Sequence, residues 1–220
     1  CSTRTSYWRS IYNMITTKQT ELFEKNVEKE LDTLNKEIQA SRDCALCKLD
    51  VNIAKPGTCD GKLLINCLNR NKDKPTLLFV GLNPSTRRFD PELRAFRGID
   101  IDATLEKFST SGDLFRLCIS ESKIKDYDVW VTNLVKCSSP DNRELTLAEK
   151  DKHFDWLERE ISILDPRAII CLGNDVYEYL LTHLIHQCVI KIWHPAYLMR
   201  GNHPKIPSFI KQLNNIEEQL

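Results

Sequence analysis

Four short apolar stretches constrain the fold of this chain more than any other feature. They comprise residues 76–81, 129–135, 168–173 and 189–193. Each is rich in β-branched side chains and carries apolar residues at consecutive positions, so both faces of the corresponding strand are expected to be covered. Strands of this kind are typical of parallel sheets, which helices cover on both sides. The chain is therefore predicted to contain a central parallel sheet of four strands.

Helical patterns alternate with these stretches. Apolar residues recur at helical spacing over residues 21–42, in a helix that begins as early as residue 17 and leads into a cysteine-containing loop. Further helices are predicted over residues 113–120, 146–164, 174–185 and 204–220, and a capping-box sequence, T-L-A-E, begins at residue 146. Residues 43–74 contain proline and glycine and are predicted to be a loop-rich connection. The alternation predicts a three-layer α/β/α fold around the four-stranded parallel sheet.

The length of the chain bounds the class of protein. Residues 1–220 are predicted to form a single domain, because chains divide into several only above roughly 250–300 residues. Residues 1–13, which precede the first methionine, are interpreted as an extension of that domain. No apolar run reaches the ~20 residues of a membrane helix, and no signal-peptide pattern opens the chain. A cytoplasmic protein without a membrane partner is expected, and a monomer is assumed.

Charge and cysteine content narrow the function further. The basic and acidic residues number 31 each, which argues against a general nucleic-acid coat protein. An enzyme can nevertheless hold a few phosphates through backbone N–H groups and short polar side chains. The nine cysteines are an odd number without an export signal, which favours metal binding over disulfides. Three cysteines lie in apolar stretches and are expected to be small buried residues: Cys118, Cys171 and Cys188.

Polar side chains follow three of the four predicted strands. Asn83 comes after the first strand, Asn133 lies near the end of the second, and His194 directly follows the fourth. Since the carboxyl ends of parallel strands collect the active-site residues of such folds, these three side chains are expected to converge. A histidine there can donate a hydrogen bond to an oxygen that gains negative charge, and an asparagine can orient a water. Each motif taken alone is more typical of an ordinary turn.

Three motifs together resemble the uracil-DNA glycosylase superfamily. GLNPS at residues 81–85 is similar to the GxNPG form of its first motif, and HPAYLMR at residues 194–200 is similar to the HPSxLLR form of its second. VWVTNLVKCSSPDNREL at residues 129–145 resembles VYVTNVVKCRPPxNRxP of the iron–sulfur families 4 and 5. The resemblance extends over roughly residues 31–200. It implies a monofunctional DNA glycosylase that hydrolyses the N-glycosidic bond of a flipped base, uracil, and leaves an abasic site.

The resemblance also implies a role for individual residues. Asn83 would hold the attacking water, His194 would stabilise the oxyanion, and Asn133 would read the edge of the flipped base. In this family an aromatic ring stacks on the base, and Phe96 and Phe108 are the two alternatives for that role. Leu82 is a further base-binding candidate. The DNA-binding candidates are Ser85, Ser138, Ser139, Leu198, which lies where the family's wedge does, and Arg200.

The cysteines divide according to the same resemblance. In the iron–sulfur families, positions equivalent to Cys44, Cys47 and Cys137 ligate a 4Fe–4S cluster, and a fourth cysteine lies in the next helix. His153, sixteen residues after Cys137, occupies that fourth position here. A Cys3His set suits a 4Fe–4S cluster, and zinc is the alternative. Cys59 or Cys67 could instead supply the fourth ligand, or the site could hold no metal.

Two departures from the family pattern keep other functions open. Leu82 stands where the family-4 pattern has an acidic residue, and residues 98–107 look like an insertion. A glycosylase for another deaminated or modified base, such as modified cytosine in phage DNA, is therefore the first alternative. A non-catalytic DNA-binding member of the fold is the second.

Overall fold

The computed structural model describes most of the chain from residue 66 onward and part of the region before it. The described residues are 27–38, 40–41, 46, 66–69, 71, 73–84, 103–108, 110–137, 139, 143–185 and 187–220. The strands are β1 (Asn66–Asn69), β2 (Thr76–Gly81), β3 (Asp128–Asn133), β4 (Ala168–Leu172) and β5 (Val189–Ile192). The helices are α1 (27–38), α2 (Ser111–Ser120), α3 (Leu147–Leu164), α4 (Asn174–His183), α5 (Pro195–Met199) and α6 (Ile206–Glu217).

The strands form one sheet in the order β1-β3-β2-β4-β5. The strands β3, β2, β4 and β5 run parallel to their neighbours, which confirms the predicted four-stranded parallel sheet. At one edge, β1 pairs with β3 in the antiparallel direction. This strand lies in the region predicted to be a loop-rich connection, so that prediction was wrong for residues 66–69. The sequence Asn-Cys-Leu-Asn is short and asparagine is depleted in strands, so it carries no strand pattern.

Apolar side chains on the two faces of the sheet form two separate cores. Leu78 and Val80 of β2 point into the first, to which α1, α3 and α4 contribute. Leu77 and Phe79 of the same strand point into the second, to which α2 and α6 contribute. The alternation along β2 therefore places helices on both faces, which confirms the predicted three-layer α/β/α fold. None of the described helices is long and apolar enough to cross a membrane.

Two helices begin with complete capping boxes. At the start of α3, the Thr146 hydroxyl accepts from the Glu149 N–H, and the Glu149 carboxylate accepts from the Thr146 N–H. This confirms the prediction made from T-L-A-E. Thr110 and Asp113 make the same reciprocal pair at the start of α2. Asp113 is thereby committed to the helix cap, as expected from its position in the predicted helix.

Candidate functional site at the carboxyl edge of the sheet

The carboxyl edge of the sheet brings together the three polar residues that follow its strands. Gly81 at the end of β2 pairs with Asn133 at the end of β3, and Asn83 follows two residues later. His194 follows β5, and a Cβ atom built on Gly173, after β4, would lie 3.8 Å from its Cβ. The parallel strands of one sheet therefore deliver Asn83, Asn133 and His194 to the same edge, as the sequence predicts.

Asn133 lies directly across the backbone of Gly81. A Cβ atom at residue 81 would come within 2.6 Å of the Asn133 side-chain oxygen, closer than two such atoms can approach. Beyond the strands, the N–H of Leu134 donates to the Gly81 carbonyl and the N–H of Val135 donates to the Leu82 carbonyl, both at 2.8 Å. Any side chain at residue 81 would therefore displace the Asn133 amide from its present position.

Asn83 is oriented by a buried serine. Its Nδ2 donates to Ser139 Oγ at 3.4 Å, and that hydroxyl donates to the Arg143 carbonyl at 2.9 Å. One N–H of the amide is used in this contact, so Oδ1 and the second N–H remain to bind a water. Ser139 is only 1% exposed, which contradicts the phosphate contact predicted for it. Its hydroxyl instead supports the side chain of Asn83.

His194 is a half-buried residue at the start of α5. Its Nδ1 accepts from the Ala196 N–H at 3.0 Å, so the neutral ring carries its proton on Nε2. Burial of the ring, together with the positive charge of Arg200, lowers the pKa of His194 to about 4. The ring is therefore neutral at physiological pH and offers one N–H donor from Nε2, as an oxyanion-stabilising group requires.

Leu198 lies in the second core. Its side chain is 0% exposed and belongs to the same cluster as Phe209 of α6. The structure therefore contradicts the predicted placement of Leu198 against DNA, because a five-residue helix such as α5 has one buried side and Leu198 faces it. The adjacent Tyr197 is 37% exposed, and Arg200, at the end of the helix, is also exposed.

The other base-binding and DNA-binding candidates are only partly described. Phe108 is half-buried against the second core, with its ring edge-on to His203 at 5.3 Å between centroids. Leu82 is half-buried against the first core. Three candidates lie outside the described residues: Ser85, Phe96 and Ser138. The choice between the two phenylalanines stays open for that reason.

A buried ion pair behind Asn133 was missed in the sequence. A lysine is ordinarily exposed, but Lys136 is only 1% exposed. Its Nζ donates to Glu160 Oε2 at 2.6 Å, to the Asn133 carbonyl at 2.7 Å and to Thr132 Oγ1 at 2.9 Å. Burial lowers the pKa of Lys136 and raises the pKa of Glu160, and the attraction between the two groups opposes both shifts. The ion pair joins the end of β3 to α3.

Two of the four predicted metal ligands lie in the described part of the chain. Cys137 and His153 are both buried, and His153 Nδ1 accepts from the N–H of Lys136, which precedes Cys137, at 3.3 Å. The second ring nitrogen, Nε2, has no hydrogen-bond partner among the described residues. A buried nitrogen without a partner is costly, and a metal would satisfy it, so His153 fits a ligand role.

The cysteine pair of the predicted site lies outside the described residues, as Cys44 and Cys47 do not belong to them. Leu46, which directly precedes Cys47, is fully buried in the first core together with Cys137. Among the residues that the structure describes, no group of three or more potential ligands is assembled.

Comparison with known proteins assigns the family. Residues 69–216 match the profile of the uracil DNA glycosylase superfamily. The chain is 28% identical over 151 residues to a type-4 uracil-DNA glycosylase of Archaeoglobus fulgidus, covering 68% of the chain and 63% of that protein. It is 25% identical over 192 residues to the Thermotoga maritima type-4 enzyme, covering 80% and 88%. A Sulfurisphaera tokodaii type-4 enzyme is 27% identical over 155 residues, covering 70% and 59%. The profile match spans more than half of the chain, which therefore belongs to the uracil-DNA glycosylase superfamily.

Proposed function

We propose that this protein is a monofunctional DNA glycosylase that removes uracil from DNA and leaves an abasic site. The observation that carries the proposal is the neutral His194 ring, with its Nε2 proton available, at the same sheet edge as Asn83 and Asn133. The names of the three type-4 relatives give uracil as the base on which those proteins act.

The chemistry follows from the three side chains. The enzyme rotates the target nucleotide out of the stack, at a cost of a few kcal/mol. The Asn133 amide offers a donor and an acceptor to the edge of the base. As the bond between the sugar C1′ and the base nitrogen breaks, the bonding electrons leave with the base and His194 Nε2–H stabilises the resulting oxyanion. Water held by Asn83 adds to C1′ and releases a proton to the solvent, and the departing base anion takes up a proton from the solvent, which completes the hydrolysis.

DNA binding is proposed to involve few charged groups. Arg200 is exposed beside the His194 loop and can pair with a phosphate. Ser85 and Ser138 remain proposed phosphate contacts on the basis of the family resemblance. A net charge of zero is compatible with this arrangement, because local charges and polar groups hold the strand.

We further propose that Cys44, Cys47, Cys137 and His153 hold a 4Fe–4S cluster, with zinc as the alternative. The unpartnered Nε2 of His153 supports this proposal. Such a group would cross-link the segment before β1 to the end of β3 and to α3, as structural metals do. Ligation through Nε2 places the ring proton on Nδ1, so the 3.3 Å contact with the Lys136 N–H would be given up.

Base release tests the enzymatic proposal. The purified protein is incubated with oligonucleotides that carry uracil, hypoxanthine or a modified cytosine, and abasic sites are cleaved with alkali. We expect cleavage at uracil and a loss of about 10²–10³ in rate for His194→Ala, as for other oxyanion donors. Asn83→Ala is expected to lose activity as well. His183→Ala is the matched control, since this exposed histidine ends α4 away from the site.

The same assay distinguishes the alternatives. Release of another base in place of uracil would favour a glycosylase for a modified base. DNA binding without release of any base would favour a non-catalytic protein. Undiminished cleavage in both variants would contradict the residue assignment.

For the metal, elemental analysis and visible absorbance of anaerobically prepared protein separate iron–sulfur from zinc, and His153→Ala is expected to lower the metal content. Wild-type protein without bound metal would overturn that part of the proposal.

A further inference from the structure

An exposed tyrosine lies beside the catalytic histidine. Tyr197 is 37% exposed, although its neighbour Leu198 is fully buried. The Tyr197 N–H donates to the His194 carbonyl at 2.9 Å, so its backbone is fixed to that of His194. An aromatic ring held at this place is within the part of the molecule that meets the substrate.

The ring of Tyr197 is supported on two sides by other residues. The Trp193 ring lies 5.6 Å away between centroids, at an angle of 60°. The Lys205 ammonium lies 4.9 Å from the Tyr197 centroid and 5.8 Å from that of Trp193, and it donates to the Tyr197 hydroxyl. Asn202 Nδ2 also donates to the Tyr197 carbonyl at 3.0 Å. Binding through this ring would lose little conformational freedom, because the fold already holds it in place.

The charge of the surrounding segment favours a polyanionic partner. Residues 179–216 contain no aspartate or glutamate, in a chain that has 31 of these residues. The same segment contains four basic residues: Lys191, Arg200, Lys205 and Lys211. An aromatic ring together with a cation is the combination with which proteins bind exposed nucleic-acid bases and the phosphates next to them.

We propose that Tyr197 fills the gap that the flipped nucleotide leaves in duplex DNA, while Lys205 pairs with an adjacent phosphate. This inference rests on the proposed glycosylase function. Tyr197 can take this role without unfolding, because its ring is already at the surface. Leu198 could do so only by leaving the core that it shares with Phe209. Its burial therefore assigns the gap-filling contact to the preceding residue.

The inference predicts a difference between duplex and single-stranded substrates. Only in a duplex does the extruded nucleotide leave a stack that must be held open, so the ring contributes there most. We expect Tyr197→Ala to lower kcat/KM for uracil in a duplex by about tenfold or more, the range given by base–aromatic stacking. The loss on single-stranded uracil is expected to be less than about threefold, since no gap is filled there. Tyr197→Phe keeps the ring but loses the hydroxyl to which Lys205 donates, and it is expected to recover most of the duplex-specific loss of Tyr197→Ala.

Lys205 is tested by the salt dependence of DNA binding. Lys205→Ala is expected to reduce the slope of log affinity against log salt by about 0.9, the value for one phosphate contact. Lys74→Ala is the matched control and is expected to leave the slope unchanged. Lys74 is also exposed and lies 5.8 Å over a tyrosine ring, that of Tyr127, but at the opposite edge of the sheet.

A binding experiment separates this inference from the proposed function. Duplexes with an abasic site beside 2-aminopurine are titrated with each variant, and fluorescence reports restacking next to the gap. If wild-type protein releases no base but gives a signal that Tyr197→Ala loses, the proposed function fails and only the contact of Tyr197 with the gap in the duplex is retained. The inference would be overturned if Tyr197→Ala lowered kcat/KM equally on single-stranded and duplex substrates, or if it lowered kcat/KM on neither. Absence of both activity and DNA binding would overturn both proposals.

Discussion

The ends of β3 and β5 hold their functional side chains in contrasting ways. At the end of β3, Asn133 is backed by a fully buried ion pair, Lys136 and Glu160, and lies against the backbone of Gly81. At the end of β5, His194 begins a five-residue helix whose neighbours include the exposed ring of Tyr197. The β3 end is supported from the protein interior, whereas the β5 end carries its aromatic and basic groups at the surface.

Under the proposed function, the contrast separates the part of the site that reads the base, at the end of β3, from the part that contacts the DNA strand, at the end of β5. A side chain that selects a base by two hydrogen bonds needs a fixed position, and buried charged hydrogen bonds supply it. A contact with the DNA strand needs exposure and local positive charge, which the region around β5 supplies. Changes at the two ends are therefore expected to affect different measurable quantities.

Removal of the Lys136 charge is expected to have the largest effect on stability. Lys136→Met leaves the Glu160 carboxylate buried without its partner, which typically costs about 3–5 kcal/mol in the free energy of unfolding. Urea denaturation measures this loss. Arg159→Ala is the matched control. Arg159 lies on α3 next to Glu160 but pairs with Glu37 at the surface, where both side chains are about half exposed.

A double variant sharpens this prediction. Lys136→Met combined with Glu160→Leu removes both charges, and it is expected to recover much of the lost stability because no unpaired charge remains. A single Lys136→Met variant as stable as the wild type would show that the pair does not support the β3 end.

Truncation of Leu198 is expected to have the next largest effect. Leu198→Ala opens a cavity in the second core and is expected to lower the free energy of unfolding by about 2–5 kcal/mol. Thermal and urea unfolding give this value. At temperatures where the variant is folded, its ratio of duplex to single-strand kcat/KM is expected to match the wild type. A duplex-specific loss in a stable variant would return the gap-filling role to Leu198.

The pH dependence of activity is expected to show the smallest effect. The pKa of His194 is lowered to about 4 by burial, so its neutral form persists well below the usual histidine range. We expect kcat/KM on single-stranded uracil to be insensitive to this group from pH 8 to about pH 5, and to fall as pH approaches 4 and the ring gains a proton. Folding must be checked in parallel by circular dichroism.

The contribution of His194 to the free energy of unfolding also decreases as the pH falls. In the unfolded chain this histidine gains its proton near pH 6.5, whereas in the folded chain it does so only near pH 4. The contribution is therefore complete above pH 6.5 and is lost as the pH falls through 4. An acidic limb of activity with a midpoint between pH 6 and 7, in protein that is still folded, would contradict the assignment of a neutral His194.

The sequence predicted those features that depend on local pattern. The four parallel strands, the capping box at Thr146 and the positions of Asn83 and His194 all follow from periodicity and short motifs. The surroundings of individual side chains could not be predicted from periodicity and short motifs. Lysine is ordinarily exposed, so nothing local marks Lys136 as buried, and Leu198 is buried in the second core, to which α2 contributes from a distant part of the chain. Tertiary packing decided both cases.

The close approach of Gly81 to Asn133 has a consequence for altering the enzyme's preference for a base. A side chain at residue 81 and the present position of the Asn133 amide need the same space, so the two positions are coupled. In a directed-evolution library, a larger residue at 81 is expected to be recovered with a shorter or rotated side chain at 133. A lineage that loses its glycine would therefore also change the position of the amide that is proposed to read the base.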